Sequence, residues 1–220
     1  MDTLDEYLKP TWFLDSDSPV VQEYARRAAG GARTPREKAV RLFYSVRDGI
    51  RYDPYSVRIE PEFYRASAIA TASCAFCVPK AVLLAAAARA VGLPGRLHFA
   101  DVRNHLSSET LRAQMGTDLF VFHGYTELFL GGKWVKATPA FNLSLCERSG
   151  LRPVEFDGTS DAIFHPFDTE GRSHMEYVRD RGSFADLPFE EMIRAYRETY
   201  GGMASERETP VKDKVFDPNE

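Results

Sequence analysis

The stretch from Ser73 to Pro94, SCAFCVPKAVLLAAAARAVGLP, constrains the fold more than any other part of the chain. It places a cysteine directly before a long run of alanine and leucine. Pro79 suits the first turn of a helix, where its missing N–H would have had no partner, and Gly92 suits the residue just past a helix end. Apolar residues occupy nearly every position between them, on all sides of a helix. The pattern therefore predicts a buried central helix over residues 78–91, with Cys77 at its N-terminus.

A thiol in this position has particular chemistry. It faces backbone N–H groups without partners and the positive end of the helix dipole, which both favour a thiolate. The same N–H groups could hold the oxyanion of an attacked carbonyl. The simpler interpretation is that Cys74 and Cys77 are small buried hydrophobic residues.

Cys74 and Cys77 also form a C-x-x-C pair. A zinc site needs two further ligands at comparable spacing, and Cys146 is the one other cysteine. A thioredoxin-like redox pair needs a β-α-β context, whereas the region upstream has the pattern of two helices. Neither alternative is favoured.

A hairpin downstream supplies a histidine with a defined direction. Residues 119–130 and 134–138 are two β-rich runs separated by Gly131-Gly132-Lys133, a sequence typical of a hairpin turn. Alternation along the first strand places His123 and Gly124 on opposite faces, unless a bulge at Gly124 intervenes. A cysteine nucleophile needs a nearby base, and Cys77 and His123 would supply this pair from rigid elements.

The remaining pattern predicts helices first and strands later in the chain. Helices are expected from Pro19 to about Ala29, from Pro35 to Ile50 behind a capping box at Thr34, and from Pro188 to about Tyr200. Strands are expected at residues 96–102, 152–156 and 162–164.

Length and charge limit the organisation and the partners of the chain. Among its 220 residues no linker is evident, so we expect a single domain over residues 1–202 and a charged tail over 203–220. A net charge of −4 with interspersed signs argues against nucleic-acid and membrane partners. The N-terminus, MDTLDEYLKPTW, has acids where a signal peptide has lysines, so a cytoplasmic location is expected.

Two sequence blocks carry a family resemblance. The first is CVPKAVLLAAAARAVGLPGR, which begins at Cys77, and the second is HGYTELFLGGKWV, which begins at His123. Together with the helix ahead of Arg51-Tyr52, they resemble the bacterial transglutaminase-like superfamily of papain-fold thiol enzymes over about residues 18–142. The resemblance implies an α+β, papain-like/transglutaminase-like core, in which the helix with an N-terminal cysteine packs on an antiparallel β-sheet.

The resemblance also implies catalytic roles. The nucleophile falls on Cys77 and the base on His123. The third member, normally an aspartate in a D-P-T sequence, falls on Thr138, whose hydroxyl could accept a hydrogen bond but carries no negative charge. Asn142 could orient the histidine instead, as a neutral amide does in papain-like enzymes. Thr138 and Asn142 both remain candidates, and a site without any third member is a further alternative.

These assignments predict a cysteine-dependent amide hydrolase or acyltransferase that acts on a peptide or small amide through a Cys–His acyl-thioester. Hydrolysis is favoured, because water is always present and no acidic pocket for an amine is evident. The alternative is a transglutaminase-like binding or scaffold protein with weak or no activity, which the missing aspartate supports. No cofactor and no metal is expected, and the sequence sets neither the substrate nor the oligomeric state.

Overall fold

Helices and strands are interleaved along residues 4–201, the part of the chain that the computed structural model describes. The α-helices are α1 (Pro19–Ala29), α2 (Pro35–Gly49), α3 (Ala66–Ile69), α4 (Cys77–Ala90), α5 (Glu109–Met115), α6 (Leu143–Ser149) and α7 (Phe189–Tyr200). The strands are β1 (Arg51–Tyr52), β2 (Cys74–Ala75), β3 (Gly95–Asn104), β4 (Leu119–Leu130), β5 (Lys133–Ala137) and β6 (Met175–Phe184). Short 3-10 helices cover Leu4–Leu8 and Pro61–Tyr64. The tail predicted for residues 203–220 lies outside the described residues.

The local sequence signals place the N-terminal helices correctly. In α2, Thr34 Oγ1 accepts a hydrogen bond from the N–H of Glu37, and the Glu37 carboxylate accepts one from the N–H of Thr34, which completes the capping box. Helix α4 begins at Cys77, and all its side chains from Val78 to Arg89 are buried. The prediction of a buried central helix with Cys77 at its N-terminus is confirmed.

The main sheet is antiparallel, with the strand order β5-β4-β3-β6. Strands β4 and β5 form the predicted hairpin, and Gly131 and Gly132 in its turn have φ angles of 60° and 85°, which favour glycine. Helix α4 packs against β3 and β4, and Thr126 Oγ1 donates a hydrogen bond of 2.8 Å to the carbonyl of Ala81. The predicted α+β fold, a central helix on an antiparallel sheet, is confirmed.

A small parallel pair, β1 with β2, joins the end of α2 to the residues ahead of Cys77. Arg51 pairs with Cys74 and Tyr52 pairs with Ala75. The loop that delivers the cysteine to α4 is therefore hydrogen-bonded to a second element just before the helix begins.

The predicted strands at residues 152–156 and 162–164 are wrong. The first segment is extended and buries Val154 and Phe156, but Arg47 of α2 donates a hydrogen bond of 2.8 Å to the carbonyl of Val154. Alternating burial thus arises from packing on a helix rather than from pairing in a sheet. Residues 162–164 contribute only an isolated bridge.

Strand β6 is the strand of the main sheet that the sequence pattern did not predict. It lies at the edge of the sheet beside β3 and has two register shifts. Its polar side chains, including Asp180, Arg181 and Ser183, bond to groups on β3 and β4, so the usual alternation of apolar residues is missing. Among residues 4–201, no helix has both the length and the apolar character needed to cross a membrane.

Candidate active site

A buried lysine fixes the first turns of α4. Lys80 Nζ donates hydrogen bonds to the carbonyl oxygens of Arg47 (2.9 Å), Ile50 (2.6 Å) and Ala140 (2.8 Å). Burial lowers the pKa of Lys80 to about 7, but three acceptors match the three donors of an ammonium group. The lysine therefore ties the turn that carries Cys77 both to the end of α2 and to the segment after β5.

Helix α4 and strand β4 approach each other closely at Gly124. A Cβ at this position would lie 3.1 Å from both Val78 Cα and the Phe99 ring, tighter than ordinary contact. The absent side chain lets β4 lie against the start of α4. The backbone N–H groups of Gly124, Val78 and Cys77 itself lie near Cys77 Sγ, where they favour negative charge on sulfur.

A bulge in β4 sets the direction of His123. The register between β3 and β4 shifts between Ala100, which pairs with His123, and Val102. Phe122, inside the shift, has a φ of 54°, a left-handed conformation that costs a non-glycine residue about 1–3 kcal/mol. The bulge thus lies ahead of His123 rather than at Gly124.

An ion pair supports this strained residue. Asp101 Oδ1 accepts a hydrogen bond of 3.1 Å from the backbone N–H of Phe122. Arg181 donates to both oxygens of Asp101, and its guanidinium lies 4.2 Å from the centre of the Phe122 ring. The pair stabilises the left-handed backbone and thereby holds His123 in place.

Cys77 and His123 line the same cleft. Its walls come from the β1 region, β4 and α7 and are largely aromatic; they include Tyr52, Phe76, Phe120, Val121, Tyr196 and Tyr200. Cys77 is half-buried, and His123 is 5% exposed. The fold therefore brings together the two residues that the sequence singled out as nucleophile and base.

Burial controls the charge of both groups. It raises the pKa of the Cys77 thiol to about 11, even though the neighbouring N–H groups and the charge of Lys80 act in the opposite direction. It also lowers the pKa of His123 to about 3. The resting cleft therefore holds a neutral thiol and a neutral imidazole. The thiolate expected from the helix N-terminus is not favoured, because desolvation outweighs the neighbouring N–H groups and the charge of Lys80.

Aromatic rings surround His123. Its imidazole lies 4.8 Å from the Phe164 ring, and the rings of Tyr125 and Tyr177 lie at 6.1 Å and 6.3 Å. Within the described chain, His123 Nε2 is buried and has no hydrogen-bond partner. Packing therefore holds the ring without stabilising its protonated form.

The two candidates for the third member have different surroundings. Ala137 pairs with Thr126, so Thr138, the next residue, continues the register opposite Tyr125. It therefore lies diagonally across from His123 on the same face of the hairpin. Its buried Oγ1 makes no hydrogen bond of normal geometry within residues 4–201, but it lies close enough to the Tyr177 hydroxyl to act on the pKa of that tyrosine. Thr138 thus shares the face of the hairpin that carries His123.

Asn142, in contrast, is occupied elsewhere. Its Oδ1 accepts a hydrogen bond of 3.0 Å from the N–H of Tyr52, and its Nδ2 donates one of 2.7 Å to Ser144 Oγ. The amide links β1 to the start of α6. The structure therefore gives Asn142 a scaffolding position.

Sequence reasoning assigned no role in this site to Arg181, Tyr196 or Tyr200. The tyrosines belong to the predicted C-terminal helix, and their spacing of four residues indicates from the sequence that they share one face of it. Nothing local showed that this helix would dock beside the cysteine. Arg181 lies in the strand that the pattern did not indicate, so no signal was available for it.

A cysteine at a helix N-terminus beside a histidine on an antiparallel strand defines the arrangement of papain-like thiol enzymes. The model of the transglutaminase-like superfamily matches residues 22–139 of the 220, more than half of the chain, and the protein belongs to this superfamily. At the superfamily level, the match supports a cysteine-based hydrolase or transferase. The matched span contains Cys77, His123 and Thr138.

One solved structure also resembles the chain. It is described as "a Putative Cysteine Protease from Cytophaga hutchinsonii" and superposes with a TM-score of 0.54 at 17% sequence identity. The match covers 87% of this chain and 50% of the other, so this chain spans about half the length of that protein. At this identity the likeness shows the fold alone. The comparison with curated proteins gave no match.

Proposed function

We propose that this protein is a cysteine-dependent amide hydrolase, with Cys77 as nucleophile and His123 as base. One observation carries the proposal. Residues from α4 and β4, far apart in sequence, line the same cleft, and backbone N–H groups lie around Cys77 Sγ. A nucleophile, a neutral base and donors for an oxyanion are the parts that acyl transfer needs.

The chemistry follows from these parts. Sγ attacks the amide carbonyl carbon while its proton passes to His123, and the oxyanion forms near the N–H groups of Cys77, Val78 and Gly124. The C–N bond then breaks, and His123 returns the proton to the leaving amine. An acyl-thioester remains on Cys77. Water, deprotonated by His123, adds to the carbonyl carbon; the S–C bond breaks, and the proton returns to sulfur. An amine in place of water would give acyl transfer.

The charge states define how this reaction must proceed. Burial keeps His123 unprotonated at neutral pH, so it can accept a proton, but its pKa of about 3 makes it a weak base in the resting cleft. Because burial also favours the thiol, proton transfer must accompany the attack rather than precede it. Because no carboxylate among residues 4–201 pairs with His123, the imidazolium is poorly stabilised and slow turnover is expected.

A binding or scaffold protein is the second candidate. It is favoured by the raised pKa of Cys77 and by the threonine at position 138, which supplies no negative charge. On this alternative the cleft holds a ligand and Cys77 forms no covalent intermediate.

Trapping the acyl-enzyme separates the two candidates. The protein is mixed with an activated acyl donor, a p-nitrophenyl ester, and its intact mass is followed with time before peptide mapping. The proposal predicts one acyl group on Cys77, none in Cys77→Ala, and acylation slowed by about 100-fold or more in His123→Phe.

Cys74→Ala is the matched cysteine control, and it should acylate like the wild type. The hydrolase proposal fails, and the binding protein is favoured, if Cys77 is not acylated. The same holds if the acylation rate is equal in the wild type and in His123→Phe. If Cys74 is also required, the redox alternative for the C-x-x-C pair returns.

A further inference from the structure

We infer that the cleft accepts an uncharged, apolar acyl group and rejects an acyl group that carries a carboxylate. The inference rests on the proposed function of Cys77. The acyl group stays bonded to Sγ from the first attack until water or an amine removes it, so the walls beside Sγ decide which acyl groups react.

The walls next to the cysteine carry no charge among the described residues. Beyond Cys77 and His123 they are built from apolar and aromatic side chains, among them Tyr52, Val57, Met115, Phe120, Tyr196 and Tyr200. Since burial keeps His123 neutral, the cleft itself offers no cation to a carboxylate.

The charged groups nearest the cleft are already compensated. Arg181 is bound by both oxygens of Asp101, and Lys80 has its three donors on backbone carbonyls. Burial, the Cys77 thiol and Asp53 together raise the pKa of Tyr52, and Asp53 itself lies 3.9 Å from the guanidinium of Arg51, with which it forms an ion pair. A carboxylate entering here would lose its hydration and find no lysine or arginine among the described residues that line the cleft.

Helix α7 forms one wall of the cleft. Tyr200 Oη accepts a hydrogen bond of 2.7 Å from the N–H of Val121, which fastens the end of α7 to β4 beside the bulge. Tyr196 lies one turn earlier, with its ring 5.5 Å from that of Tyr200. The helix lies outside the span that the superfamily model matches.

The test compares two acyl groups of the same shape. The p-nitroanilides of 4-methylpentanoic acid and succinic acid differ in whether the branched end is two methyl groups or a carboxylate. We expect kcat/KM to favour the 4-methylpentanoyl substrate by about 30-fold or more. Equal values, or a preference for succinyl, would overturn the inference.

A matched pair of lysine variants locates the selectivity. Val57 lies half-buried at the cleft, and Val57→Lys should place an ammonium there and raise the succinyl-to-4-methylpentanoyl ratio about 10-fold. Val20 is 42% exposed on α1 and does not line the cleft, so Val20→Lys should leave the ratio unchanged. A ratio that shifts equally in both variants would assign the selectivity to net charge and reject the cleft as its source.

Binding to Cys77→Ala separates this inference from the proposed function. By calorimetry, 4-methylpentanamide should bind this variant more tightly than succinamate does. If the preference is present but wild-type Cys77 never acylates, the cleft selects as inferred and the hydrolase proposal fails. If Cys77 acylates but neither binding nor kcat/KM discriminates, the hydrolase stands and the inference is overturned.

Discussion

Two buried histidines on neighbouring strands of the sheet have opposite surroundings. On β3, His98 Nδ1 lies 2.9 Å from Ser183 Oγ, and its Nε2 lies 2.9 Å from Asp180 Oδ1. On β4, His123 Nε2 has no partner within residues 4–201 and packs among aromatic rings. The histidine with a serine and a carboxylate is the one away from the cysteine, while the histidine at the cleft has neither.

A carboxylate organises the first of these regions. Glu127 accepts hydrogen bonds from Arg96 (2.6 Å) and Ser183 (2.8 Å) and lies 3.3 Å from His98 Nδ1. Burial opposes its ionisation, but the bonds from His98, Ser183 and Arg96 outweigh burial and lower the pKa of Glu127 to about 2. Arg96 also lies 4.1 Å over the Trp134 ring.

The comparison shows where this fold is organised for stability. Around Glu127 every buried polar group has a partner, as a stable core requires. At His123 the described part of the chain leaves Nε2 without a hydrogen-bond partner and holds Phe122 in a strained conformation, which is typical of sites kept for chemistry. Stability should therefore depend on the Glu127 region, and reactivity on the His123 region.

The largest effect is expected from a substitution that breaks the hydrogen-bond network of Glu127. Glu127→Ala leaves Arg96 and His98 without their shared acceptor, and we expect it to lower the free energy of unfolding by about 2–4 kcal/mol. His123→Phe, the paired variant, should change it by less than about 1 kcal/mol, because a ring replaces a ring and an unpaired nitrogen is removed. Urea unfolding of both proteins measures this. A larger loss in His123→Phe than in Glu127→Ala would reverse the comparison.

The next effect concerns the contact that brings the two catalytic candidates together. Gly124→Ala forces a Cβ against the backbone of Val78 and should cost about 1–3 kcal/mol while slowing the acylation of Cys77. Gly49→Ala is the control, because no atom lies within 4 Å of its added Cβ. Thermal unfolding and acylation rates are measured together. If Gly124→Ala matches Gly49→Ala in both, β4 and α4 do not need this close approach.

The buried His123 should make the protein less stable in acid. The pKa of His123 is lowered from 6.5 to about 3 in the folded chain, so the unfolded chain binds the proton first. Above pH 6.5 both states hold a neutral His123, and the free energy of unfolding is at its full value. As the pH falls from 6.5 towards 3, protonation of the unfolded chain lowers the free energy of unfolding. Relative to His123→Phe, the wild type should lose about 1.5 kcal/mol at pH 5.5. Urea unfolding at several pH values tests this, and parallel curves for the two proteins would contradict it.

The smallest effect separates the two candidates for the third member. Thr138→Val removes a hydroxyl without a normal hydrogen bond and should change stability by less than about 0.5 kcal/mol. Asn142→Ala breaks its bonds to Tyr52 and Ser144 and should cost about 1–2 kcal/mol. If Thr138 orients His123, its variant slows acylation at unchanged stability. A stability loss above about 1 kcal/mol in Thr138→Val would show that its hydroxyl is paired in solution.

Much of the fold could be predicted because its signals are local. The capping box at Thr34, the apolar run after Cys77 and the Gly-Gly turn each act within a few residues of the backbone that they shape. The same signals singled out Cys77 and His123, which the structure places in one cleft, although their catalytic roles stay predictions. The strand prediction for residues 152–156 was wrong because an extended segment that packs on a helix shows the same alternation of buried residues as a strand.

By itself, then, the sequence determined the central helix, the hairpin, the superfamily and the pair of residues that could react. Tertiary structure alone decided their charge states, the bulge that aims His123 and the aromatic walls of the cleft. The physical reason is that desolvation and partner choice depend on distant segments: Phe164 packs on His123, Arg181 supports Phe122 through Asp101, and Tyr200 lines the cleft. No local pattern encodes which of these segments will meet.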